Sequence, residues 1–219
     1  MFPNPELKQL NIYRFESTNY DTNLVLYAQV IKFSVMSVIN YAAAQVLAEL
    51  MKVASIDYFA NNKLSSERVN VEVVRASYDI LIIFNLLGHN AIQLEKTGED
   101  FLKFVQQEFK EYDEERFSMI RMKVVNRLDK SYSNIKDFAH DDANDIYLSD
   151  GKLEGVRPKT VSLLKHETDQ ATLNHIIKEK FFDGSNRIIF EIGYKFNSYA
   201  MLVYDVFGSL KPTVIIESA

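Results

Sequence analysis

The chain has no cysteine. Disulfides, thiol catalysis and thiolate ligation of zinc or iron–sulfur clusters are therefore excluded. The same absence fits a reducing compartment, and the cytoplasm, whether of the producing cell or of a host cell, is the expected location. Glycine is scarce at seven residues, and none are clustered. This leaves no Gly-rich loop to cradle a phosphate and no dinucleotide fingerprint. A Gly-x-Ser-x-Gly nucleophile elbow is also missing. Positive charge is not in excess either. The formal net charge is −5, which removes the main drive for general nucleic-acid binding. The opening MFPNPELKQL lacks the basic start and apolar core of a signal peptide.

Apolar residues are plentiful. Hydrophobic side chains make up 47% of the chain, and Tyr and Phe are spread throughout, enough for a packed core in one large or two small domains. The densest apolar stretch is Leu24 to Met51. Its uncharged part, Phe33 to Ala48, is shorter than the roughly 20 residues of a membrane span and includes Ser34, Ser37 and Asn40. No transmembrane span is expected.

The pattern reads as α+β: an N-terminal bundle of long helices, then a small antiparallel β-rich part with one helix. Residues 1–22 are expected to be irregular, 23–145 helical, and 146–219 α+β, ending in a β-meander. A first helix runs from a cap at Asp21 or Thr22 to about Ala60. Its polar residues change sides. Gln29, Lys32 and Asn40 lie on one flank, and Gln45, Glu49 and Lys52 nearly opposite at 100° per residue. Three explanations fit: different neighbours at the two ends, a break near Ala42, or an oligomer interface formed by Val35, Ile39, Ala43, Val46 and Leu50. Residues 69–87 recur at helical spacing, although Val69, Val71 and Val73 alternate as a strand would. Thr97 and Asp100 then suggest the start of a helix of about forty residues reaching Phe138, with a break or a long partner implied.

The stretch HETDQATLNH, His166 to His175, looks most like chemistry. Leu173, Ile176, Ile177 and Phe181 form an apolar stripe that fails before Asp169, so Thr168 or Asp169 should cap a helix there. His175 then faces solvent beside Glu179. The two histidines are nine apart and cannot converge, unlike the four-residue spacing of H-E-x-x-H. The other candidate is FAHDDANDIYLSD, where Asp141, Asp142 and Asp145 follow His140. Carboxylate oxygens suit Mg, Mn or Ca, although the EF-hand spacing is missing.

The expected function is therefore a non-enzymatic, self-associating structural or interaction subunit of a viral or cellular assembly, with no cofactor. One alternative is a divalent-metal-dependent hydrolase using the aspartates near His140. Another is a ligand-binding regulatory domain.

Overall fold

Two runs that are apolar on both sides, Val25–Val35 and Asp79–Gly88, set the architecture. Both are strands. A strand buried on one face and half-covered on the other shows little alternation, so a helical spacing can be fitted to it. The computed structural model describes residues 11–16, 25–62, 68–76, 78–129, 155–182, 186–193, 201–202 and 214–215.

Five strands form the main sheet: β1 (Asn11–Glu16), β2 (Val25–Val35), β3 (Arg68–Ala76), β4 (Asp79–Gly88) and β5 (Asn186–Gly193), in the order β1-β5-β2-β4-β3. Only β1 and β5 are parallel. The strand near the C-terminus thus lies between the first two, so the fold is α+β but not an N-terminal helical bundle followed by a separate β-rich part. The short β6 (Met201–Leu202) and β7 (Val214–Ile215) pair antiparallel with each other. Residues 69–74 are strand, and β3 and β4 form a hairpin in unbroken register from Arg68↔Leu87 to Ala76↔Asp79. The β-branched alternation of Val69, Val71 and Val73 was the correct signal.

The first helix is shorter than expected. Strand β2 ends at Val35, and α1 (Val38–Asn62) follows after Met36 and Ser37. Met36 N–H donates to the Tyr78 carbonyl at 2.7 Å, tying this corner to the hairpin turn. The polar residues change sides because Gln29 and Lys32 belong to a strand and Gln45, Glu49 and Lys52 to a helix. Every residue from Ala42 to Ala48 is buried, as befits a helix covered all round. The sheet lies on one side of α1 through β3 and β4; α3 (Glu114–Leu128), α4 (Val156–Ser162) and α5 (Gln170–Ile177) also pack against it. The alanines allow these neighbours to approach closely.

The expected forty-residue helix is two. Helix α2 (Ala91–Glu111) starts at Asn90, whose side chain accepts from Gln93 N–H at 3.0 Å, so Thr97 lies inside it and is buried. Asp113 caps α3 by accepting from Arg116 N–H at 2.8 Å, with Glu114 and Glu115 in the first turn. These carboxylates favour a helix start where the apolar spacing drifts. Val161 to Lys165 is helical, passing from α4 into a π-helical turn at Leu163–Glu167. Asp150-Gly151 within YLSDGKL predicts a hairpin, and it lies outside the described residues.

Helix α2 lies close on the sheet because of Gly98. A Cβ there would stand 2.6 Å from Tyr27 Cε1 and 2.8 Å from its hydroxyl, and Tyr27 is fully buried. Next to it, Phe101 stacks on Phe84 of β4 at 4.8 Å and meets Tyr58 of α1 edge-on at 5.4 Å. Substituting Gly98→Ala is expected to overpack this contact and lower stability by about 1–3 kcal/mol, seen as a lower denaturant midpoint; an unchanged midpoint would show that the ring moves aside freely.

Candidate functional site

The HETDQATLNH stretch folds as helix α5 with its approach. Asp169 is the cap, and its carboxylate accepts from Thr172 N–H at 2.7 Å. Leu173, Ile177 and Phe181 are buried. His166 and His175 are both exposed and on separate turns, and His175 Nε2 lies 3.8 Å from Glu179. The histidines do no joint chemistry. The Thr172 backbone and side-chain hydrogen bonds hold the Asp169 carboxyl below its usual range. A depressed carboxyl contributes stability above its ordinary pKa and loses it as pH falls through the lowered one. Replacing Asp169→Ala should therefore lower the melting temperature at neutral pH, with the difference from the parent shrinking in acid; a difference independent of pH would mean the charge plays no part.

Two polar clusters interrupt the core, and neither was anticipated. The first lies between α1 and α3. Gln45 and Glu49 are four residues apart on one face of α1, the spacing by which two helical side chains grip one cation. Here the cation is the protein's own. Arg127 Nη2 donates to Gln45 Oε1 at 2.9 Å and lies 3.8 Å from the Glu49 carboxylate. Gln45 is 3% exposed, and the side chain of Glu49 16%. One turn on, Lys52 is depressed by burial and by the neighbouring Arg127, with Glu49 and Glu72 opposing. Arg157 fastens the same end of α3 by donating from Nε to the Leu128 carbonyl and from Nη2 to the Arg127 carbonyl at 3.4 Å. Cations at a helix C-terminus oppose its negative end. Substituting Arg127→Met is expected to cost about 1–3 kcal/mol by stranding Glu49 and Gln45, with part regained in the Glu49→Gln double variant; additive losses in a double-mutant cycle would deny the coupling.

The second cluster joins α2 to the sheet. Gln29 is fully buried on β2; its Nε2 donates to the Tyr27 hydroxyl and to Glu99 Oε1, the latter at 3.0 Å. Arg187 of β5 donates from Nη1 to both Glu99 oxygens, at 3.0 and 3.1 Å. Glu191, also fully buried, is the Cα partner of Tyr27. Burial pushes the Tyr27 phenol well above its usual range. The hydroxyl therefore stays protonated and acts as a hydrogen-bonding group. This arrangement orders a helix over a sheet.

Of the residues expected to form an oligomer interface, four lie on α1 and one, Val35, ends β2. Ala43, Val46 and Leu50 are fully buried within this chain's own core. Ile39 is half-buried, and Val35 is 61% exposed at the end of β2. His140, Asp141, Asp142 and Asp145 lie outside the described residues.

No family model matches this chain, and no curated protein matches it in sequence. Solved structures do. The chain resembles pitrilysin with a TM-score of 0.68 at 13% identity, over 90% of this chain and 21% of that one. It also resembles the periplasmic protease PqqL from Escherichia coli with a TM-score of 0.59 at 12% identity, over 85% of this chain and 21% of that one. At such identities the likeness is one of fold, and the chain spans about one-fifth of each protease's length. The chain thus shares its α+β fold with one part of each of these two proteins. This overturns the expectation of a structural assembly component such as a virion subunit. Among the described residues, no three His, Asp or Glu side chains gather as metal ligands. Neither H-E-x-x-H nor the inverted H-x-x-E-H occurs anywhere in the chain; His166-Glu167 is followed by Gln170 where the second histidine would stand. Among the described residues, no helix is long and apolar enough to cross a membrane.

Proposed function

We propose that this chain is a polypeptide-handling domain, built on the fold of pitrilysin and PqqL, that holds an extended segment of another chain without hydrolysing it. The likeness in fold carries the reading. The missing histidine motifs and the guanidinium clasped by Gln45 and Glu49 support holding over cutting. The geometry that suits holding is the sheet edge at β3. This strand has nine residues, longer than the usual five or six, and it carries charges at Arg68, Glu72 and Arg75 but no proline. Proteins normally blunt edges with such residues or with bulges. Among the described residues, no strand pairs with its outer rim. An added strand would gain main-chain hydrogen bonds there, the commonest way a sheet recognises an extended peptide.

The second reading is divalent-metal-dependent hydrolysis through Asp141, Asp142 and Asp145 beside His140, with Mg, Mn or Ca as the ion. The protease fold favours it. One set of experiments separates the two. A labelled peptide of alternating valine and threonine should bind the protein in fluorescence anisotropy, and N-methylation of alternate residues should weaken it about tenfold by removing two or three hydrogen bonds. An unfolded polypeptide incubated with the protein and each ion should stay intact. Chelator-sensitive cleavage lost on replacing the three aspartates by asparagine would transfer the conclusion to the second reading.

A further inference from the structure

Strand β3 shows two different faces to a neighbour. On the helix side, Val71 is fully buried and Val69 and Val73 partly so; β-branched side chains pack well beside such a row. On the opposite side, Asn70 and Glu72 are exposed. Asn70 Nδ2 donates to Glu72 Oε1 at 2.6 Å and so orients the carboxylate. Inward, the Cα partner of Glu72 on β4 is the apolar Ile83. Among the described residues, no cation forms an ion pair with Glu72. Arg75 sits over the Tyr41 ring at 5.6 Å. Lys52 of α1 feels the field of Glu72 less than those of Arg127 and Glu49.

We infer that β3 selects extended segments carrying lysine or arginine at the position facing Glu72, between apolar β-branched neighbours. The inference rests on the edge-strand reading above and names its preferred ligand. An opposite-charge pair across two strands favours the matched peptide, and a like-charge pair disfavours its mirror.

The test uses the full chain and two labelled peptides that differ only in a central lysine or glutamate within a valine–threonine strand. Anisotropy should show the lysine peptide binding about two- to fivefold more tightly. Glu72→Lys should reverse the preference, and Glu72→Gln should abolish it. Glu72 is exposed, so circular dichroism should report an unchanged fold in both variants. Equal binding of the two peptides, still lost on N-methylation, would overturn the selectivity and leave the edge-strand reading standing. Binding that survives N-methylation, or no binding by either peptide, would bring down the edge-strand reading and this inference with it.

Discussion

Helix α1 has no wet side through its middle. From Ala42 to Ala48 each side chain is covered, by the sheet on one flank and by α3, α4 and α5 elsewhere. Those neighbours hold their places because α1 is there to pack on. Small side chains set how near they come, and larger ones at Leu47, Leu50 and Met51 fill the remaining space. A helix covered this fully has no room for an unsatisfied polar group. Gln45 and Glu49 therefore come with Arg127, and Arg127 comes from α3. The packing of the outer layer and the chemistry of this cluster are one constraint.

The same reasoning covers the second cluster. Gln29 points inward from β2 among apolar neighbours, and it is tolerated because Glu99 and the Tyr27 hydroxyl receive its amide hydrogens. Glu99 is in turn held by Arg187. This network spans α2, β2 and β5, elements far apart in the chain, and fixes α2 over the sheet where Gly98 lets it come close. Both clusters use a guanidinium from one element to neutralise a carboxylate from another. They stabilise one arrangement of the layers.

The likeness to pitrilysin and PqqL is one of fold, and fold does not fix chemistry. On the helix at the centre, Gln45 and Glu49 are spaced as metal ligands often are and are satisfied by an arginine.

Local signals settled what depends on near neighbours. The absence of cysteine, the cap at Asp169, the buried stripe of Leu173, Ile177 and Phe181, and the outward His175 were all legible, because capping and helix amphipathicity act within two turns. The α+β class was legible too. The layout was not. Strands β2 and β4 are apolar on both faces, so their period of two was masked, and a false helical period took its place. The cap at Asp113 was present in the sequence but was outweighed by the longer apolar pattern. The clusters at Gln45–Arg127 and Gln29–Glu99–Arg187 pair residues 82, 70 and 88 positions apart. No spacing rule reaches that far. Sequence alone determined the cap at Asp169 and the lack of thiol chemistry; only the tertiary structure decided that α1 is enclosed within one chain, because burial on all sides depends on which distant elements arrive to cover it.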